Sequence, residues 1–483
     1  MKRGRGAEPA CRAEYRLGPG RGEAASASST NHLSPITNHF SLRPHPFPPF
    51  PLCNPQNLWF TALSLRSTSM KGQSGRTRSR NGANLGHAHL LNQRVILEIV
   101  RLHGPVSRVD AARLAGLTNQ TVFNIVDSLH QIGLIRDFGR KMAERGQPAK
   151  LFEINADAAF SVGLHLERDH IASVLVDFKG VIRARTYRAR HLTTPADALK
   201  QALSAIRELR QKNHRKRILG LGIALPGPMD FQHGKVVFSP NFPGWEQVKV
   251  QDYFSRSTKL PVVVDNDATA ASIGESWYGA GRSLDSFVYI YVGVGVGGGI
   301  IVNGRPYRGF RGGSGEIGHL VVDKTRNARG CGCGKRGCLE AYLSLVSLTQ
   351  RLNEAGLGEP SLTKIVDLFN EGNEVVLAWL KTAAAYLSEV VGNLLLLFDP
   401  EAVIVGGHLP APLLSYLIER STKIGHQNGR VEHHPRILQG MLQDEAAALG
   451  AAVLPIDDLI APNYERITQG EHPSLLELWD SGS

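Results

Sequence analysis

The sequence predicts a large α/β domain preceded by a small unit of three helices and a β-hairpin. Three observations predict it. Across residues 156–455, short apolar and partly β-branched runs alternate with long helical patterns. Residues 86–155 hold three capped helical patterns followed by two strand-like runs, the winged helix-turn-helix order. The net charge of +12 is uneven: residues 1–150 carry 21 Lys and Arg against 8 Asp and Glu, and the rest is nearly neutral.

Taken in order, residues 1–85 are rich in Pro, Ser, Gly, Arg and Asn, as in P-H-P-F-P-P-F-P-L at 44–52. Such composition cannot bury a core, so a disordered basic extension is expected. Met70 opens a plainer basic lead, and it is the expected natural start. Leu91–His103 places Val95, Ile96, Ile99 and Val100 at helical spacing, and Gly104-Pro105 stops it. Ser107-x-x-Asp110 is an N-cap signature for a second helix ending near Gly116. Thr118 caps a third, with Val122, Phe123, Ile125, Val126 and Leu129 expected inward and Gly133 past its end. Strands are expected over Leu134–Phe138 and Lys150–Ile154.

In the large domain, Ser161–Leu166, Ala172–Asp177 and Arg185–Arg188 read as strands and Ala196–Lys212 as an amphipathic helix. Ile218–Ala224, Val262–Val264, Phe287–Val292 and Val403–Gly407 read as buried strands. Long helices are expected over Glu340–Leu352 and Val375–Phe398, and the polar tail at 456–483 is expected to fray. Of five cysteines, three lie in one cluster, so no disulfide framework is visible and a reducing cytoplasm fits. Neither a run of about 18 apolar residues nor a signal-peptide pattern is present, so no membrane partner is expected.

Three constellations carry chemistry. In the third helix, Asn119, Gln120, Thr121 and Asn124 lie near the N-terminal end, where a recognition helix meets base edges. Arg140, Lys141, Arg145 and Lys150 on the hairpin suit phosphates. Operator DNA is the expected partner and, since operators are two-fold, a homodimer or homotetramer; the alternative is a helical unit for protein contacts. Next, His319 precedes Cys331, Cys333 and Cys338 in G-E-I-G-H and C-G-C-G-K-R-G-C-L-E. That donor set suits a closed structural zinc site, the alternatives being a disulfide or unconnected buried thiols. Finally, V-V-V-D-N-D (262–267) delivers Asp265, Asn266 and Asp267 to a strand's carboxyl end, where α/β ligands bind. Its alternative reading is a helix cap by Asp267. The glycine run at 292–301 reads equally as a phosphate cradle or a β-turn, and P-N-F-P-G-W (240–245) offers Asn241 and Trp245 as ligand platform or core.

These motifs, with L-P-G-P-M-D (225–230), resemble the ROK family of repressors, open reading frames and sugar kinases over roughly residues 90–455. The resemblance implies the two-lobed actin-like/hexokinase-like ATPase (ribonuclease H-like) fold with a sugar between the lobes. The winged helix-turn-helix and R-G-Q-P-A (145–149) are similar to its regulator branch. Carried over, the sugar contacts fall on Asn266, Asp267, Glu316, His319 and Glu340, and the zinc ligands on His319, Cys331, Cys333 and Cys338. His319 would serve metal and sugar with different ring nitrogens. Asp267 aligns with the catalytic base of kinase members. The chain departs from those members at G-L-H-L-E-R-D (163–169), where they carry an Asp-x-Gly-Gly-Thr phosphate loop, and at Val294, where they place Thr. Phosphoryl transfer depends on that positioning. The implied function is a cytoplasmic, sugar- or sugar-phosphate-responsive repressor rather than an enzyme. The rival is an ATP- and Mg²⁺-dependent sugar kinase that keeps a DNA-binding unit, and a third reading is a non-catalytic scaffold.

Overall fold

A computed structural model describes residues 85–462, except 142–147, 190–191, 193, 212, 214–215, 231–233, 238–243, 246–247 and 428–435, together with 467, 475 and 479. The expected extension, Met70, Asn241 and Arg145 lie outside the described residues.

The front unit comprises α1 (Leu85–His103), β1 (Val106–Ser107), α2 (Arg108–Ala115), α3 (Asn119–Gln131), β2 (Ile135–Lys141) and β3 (Ala149–Ile154). Its antiparallel strands run β1-β3-β2. The caps form as the sequence chemistry demands. Ser107 Oγ accepts from the Asp110 amide at 3.1 Å, and Thr118 Oγ1 from the Thr121 amide at 3.2 Å. Gly116 closes α2 in the left-handed region. Phe123 is the exception to the expected core face. It is 45 % exposed, with the Arg108 guanidinium 4.2 Å from its ring centroid. Val122, Ile125, Val126 and Leu129 already fill the inner stripe, which leaves position 123 outside it.

The first half of the large domain runs β4 (Phe160–Leu166), β5 (His170–Asp177), β6 (Ile182–Ala189), α4 (Pro195–Gln211), β7 (Ile218–Leu225), β8 (Met229–Asp230), β9 (Lys235–Val236), α5 (Val250–Thr258), β10 (Val262–Asn266) and α6 (Asp267–Tyr278). The second runs β11 (Phe287–Val292), β12 (Val296–Val302), β13 (Arg305–Pro306), α7 (Glu340–Leu343), α8 (Leu345–Glu354), α9 (Leu362–Asn370), α10 (Glu374–Phe398), β14 (Ala402–Gly407), α11 (Ala411–Gln427), β15 (Arg436–Gln439) and α12 (Ala446–Ile460). Their five-stranded sheets, β10-β7-β4-β5-β6 and β13-β12-β11-β14-β15, share one plan. In each, the first three strands form an antiparallel meander and the last two add parallel to the first. The halves are therefore a structural duplication.

The halves are tied by an exchange of helices. The helix α6 packs on β11 and β12, α12 packs on β4, β5 and β7, and the two helices pack on each other. Small residues permit this. A Cβ at Gly450 would sit 1.6 Å from the Ala270 carbonyl oxygen, and one at Gly222 1.8 Å from that of Ala451. Apolar burial then drives the seam at roughly 25 cal/mol per Å².

Two expectations change. The helix over Glu340–Leu352 breaks at Ser344, whose hydroxyl caps α8 through the Ser347 amide at 3.1 Å. The chain does not fray at 456: α12 continues to Ile460, and Ile467 and Leu475 are buried. The long helix α10 has the length and composition of a membrane span, but Trp379, Leu380, Ala383, Leu387 and Val391 are buried in the core.

Candidate functional site

A cavity of about 270 Å³ lies between the two sheets, and Asn266, Asp267, Glu316, His319 and Glu340 all line it. Three distant segments supply these five side chains. The first is the β10–α6 junction. Asn266 Oδ1 accepts from the Thr269 amide at 3.1 Å, so the helix cap is Asn266 rather than Asp267. Its Nδ2 donates to the Gly227 carbonyl at 3.1 Å. Asp267 Oδ1 accepts from the Ala268 amide at 2.7 Å. Burial above all, then the neighbouring charge of Glu167, holds the Asp267 carboxyl well above the usual range.

The second segment is the G-E-I-G-H turn. Gly315 has φ +88°, and a Cβ there would lie 2.0 Å from the Gly298 carbonyl oxygen. The turn is pressed against β12, which fixes where Glu316 and His319 emerge. Burial raises Glu316. His319 Nδ1 lies 3.6 Å from Cys331 Sγ, and its Nε2 lies 3.8 Å from Glu316 Oε2. One ring nitrogen thus faces the thiols and the other faces the cavity.

The third segment is the cysteine knuckle. The Cys331 amide donates to the Lys335 carbonyl at 2.8 Å, and the Gly334 amide to the Cys331 carbonyl at 3.0 Å. Gly337, at φ +78°, brings Cys338 back under the turn. Cys333 and Cys338 Sγ lie 3.8 Å apart, and the donor atoms of His319, Cys331, Cys333 and Cys338 lie within 4.8 Å of one another. The three cysteines are free thiols, so the disulfide alternative is not what forms. Three sulfurs and an imidazole nitrogen around one point fit a metal ion. Glu340 links knuckle and cavity: Oε2 accepts from the Val296 amide at 3.0 Å, and Oε1 takes the Cys331 thiol at 3.6 Å.

The other expectations divide. The glycine run folds as the β11–β12 hairpin, with Val294, Gly295, Gly297 and Gly298 on the cavity wall. Trp245 is 1 % exposed in the first half's apolar cluster and does not line the cavity, which makes it core. Glu167 and Tyr291 line the cavity, yet sequence alone gave neither a site role. Asp265 does not line the cavity and pairs with Arg308, whose Nη2 lies 2.6 Å away. Nothing local signals a partner 43 residues distant. On the front unit, Asn119, Gln120 and Asn124 are exposed on α3 and Thr121 half-buried, with Gln120 Nε2 donating to Asn124 Oδ1 at 3.1 Å.

With the geometry established, comparison with known proteins is informative. Residues 161–458 match the ROK family. The xylose repressor of Bacillus subtilis (strain 168) is 29 % identical over 376 residues, covering 77 % of this chain and 96 % of the repressor. Among solved structures, a ROK family transcriptional regulator, a homologue of the Escherichia coli MLC protein, superposes with a TM-score of 0.66 at 22 % identity, covering 82 % of this chain and all of that one. The ROK glucokinase of Streptomyces griseus, in complex with glucose and AMPPNP, gives 0.54 at 28 % identity, covering 61 % and 99 %. The first of these structures reaches into the front unit's span; the kinase covers less of the chain.

Proposed function

The chain belongs to the ROK family, and from that premise we propose that it is a sugar-responsive DNA-binding repressor. The observation that carries the reading is the convergence of Asn266, Asp267, Glu316, His319 and Glu340 on one cavity, in a chain that also bears an exposed polar helix end on a three-helix unit. A sugar hydroxyl both donates and accepts, and carboxyls, an amide and an imidazole supply both partners. A B. subtilis relative, matched over 96 % of its own length, is a xylose repressor, which supports a sugar or sugar-phosphate effector.

Zinc is the proposed occupant of the His319–Cys331–Cys333–Cys338 cluster, because thiolates and imidazole suit it and four protein donors close the shell. Its role is structural: bound through Nδ1, it would fix the His319 ring so that Nε2 points into the cavity. Asn119, Gln120, Thr121, Asn124 and Arg145 are the proposed operator contacts, made by a cytoplasmic homodimer or homotetramer. The proposed domain limits remain 86–155 for the DNA-binding unit and 156–455 for the sugar-binding domain.

A continuous core supports coupling between the two functions. The apolar residues of α1 and α3 share one cluster with Val174 and Val176 of β5 and with Leu449, Ala452 and Ile456 of α12. Since α12 packs on α6, whose first residue is Asp267, a sugar that shifts lobe closure moves α12 and hence the DNA-binding unit. Phosphoryl transfer is not required, and segment 163–169 lacks the phosphate loop that kinase members carry there. Asp267 would act as a base only in the rival kinase reading, with ATP and Mg²⁺.

The test is operator binding, measured by fluorescence anisotropy on upstream DNA across a sugar and sugar-phosphate panel. One effector should change operator affinity about 5–150-fold, and operator should change its affinity by the same factor. An effector-independent affinity sinks the reading, and sugar-dependent ATP turnover lost in Asp267→Ala would install the kinase in its place.

A further inference from the structure

Behind Glu167, away from the cysteine knuckle, lies a second cluster of ligating side chains. His165 belongs to β4 and His170 to β5, whereas His408 follows β14 in the opposite sheet. His165 and His170 are fully buried and Glu167 is 3 % exposed. The His170 ring stacks on His408, at 4.9 Å and 12°, and on Tyr187, at 5.4 Å and 22°.

His170 Nδ1 lies 2.7 Å from Asp169 Oδ1 and donates to it. Its Nε2 lies 3.2 Å from His165 Nδ1. His165 Nε2 is buried and without a hydrogen-bond partner. It faces Glu167 Oε2 across 3.8 Å, and that same oxygen lies 3.9 Å from His170 Nδ1 and accepts from Tyr291 at 3.2 Å. His408 Nδ1 is a second buried ring nitrogen with no partner. The 3.8 Å spacing of His165 Nε2 and Glu167 Oε2 is slightly wider than the roughly 3.4 Å between ligands of a bound ion at about 2.1 Å from each.

We propose that His165 Nε2 and a Glu167 oxygen bind a divalent transition-metal ion, with His170 the third donor within reach and Asp169 orienting it. The ligand atoms of His165, Glu167 and His170 lie within 4.8 Å of one another. Imidazole and carboxylate select an ion of the Zn²⁺, Ni²⁺ or Co²⁺ class over Ca²⁺ or Mg²⁺. Because Tyr291 comes from the second sheet and Glu167 also lines the cavity, the ion would sit at the seam of the two halves, with its open positions toward the cavity. The proposal stands on this geometry and not on the regulatory reading.

The full-length protein, zinc-loaded at the thiolate cluster, is titrated with Co²⁺, passed through gel filtration and analysed for metal. A second ion per chain should be retained, and its Co²⁺ spectrum should lack thiolate-to-metal charge transfer. His165→Gln and Glu167→Gln should each lose that ion and keep the thiolate-bound one, whereas Cys331→Ser should show the reverse. A wild-type protein that retains only the thiolate-bound ion overturns the proposal, and so does a second ion that survives both substitutions. Should the variants fail to fold, the wild-type Co²⁺ spectrum decides alone.

Discussion

At the scale of single residues, His319 carries the most consequence, because its two ring nitrogens face different chemistries. Nδ1 lies against Cys331 and Nε2 against Glu316. Loss of the proposed ion would free the ring to rotate, and the cavity would lose an oriented donor before any distant element moved. Cys331→Ser is therefore expected to abolish the effector response while operator affinity stays within about threefold of wild type. Anisotropy with and without effector checks this; a fall in operator binding with a normal effector response would misplace the knuckle. The residues that only the structure revealed here are Glu167, Tyr291 and Arg308. Each works through a partner far away in the chain, such as Asp265 for Arg308. Sequence spacing carries no trace of such pairs.

At the scale of elements, the front unit is held by caps and by a charge contact to the body. Thr118→Ala removes the α3 cap and should cost about 1 kcal/mol. Operator affinity should fall with it while effector binding, read by calorimetry, is unchanged. Glu153 on β3 contacts Lys179, on the turn after β5, and Arg136 on β2. Burial opposes its charge, but Lys179 and Arg136 outweigh burial and hold the carboxyl below its ordinary value. A depressed folded pKa stabilises above the unfolded value of about 4.3, and that contribution drains away as pH falls below it. The melting temperature of wild type should therefore drop between pH 5 and 3.5 more steeply than that of Glu153→Gln; parallel curves would sink the assignment. Elements also mark where periodicity misleads. Position 123 fits a helical apolar stripe on paper, yet Val122 and Val126 fill the core and Phe123 turns out to meet Arg108. A helical pattern over 340–352 hides the break at Ser344, because Ser caps as readily as it continues.

At the scale of the whole molecule, the seam between α6 and α12 joins the candidate cavity, the duplicated sheets and the front unit. Gly450→Ala would drive a methyl into the Ala270 carbonyl and should cost roughly 1–3 kcal/mol by overpacking. Effector–operator coupling should shrink at least threefold in that variant while its metal content is unchanged; unaltered coupling would remove α12 from the path. The sequence by itself determined a good deal: the α/β class, three capped helices, the His–Cys₃ donor set and the polar cavity residues. These are legible because capping, period and soft-ligand chemistry act over a few residues, and the family's motifs sit in short unbroken runs. Only the tertiary structure decided that the halves duplicate one plan and exchange helices, and that Glu167 faces the unpartnered Nε2 of His165 beside Tyr291. Those facts depend on which surfaces meet. Such meetings are set by the packing of backbone against glycine across hundreds of residues, which no local pattern encodes.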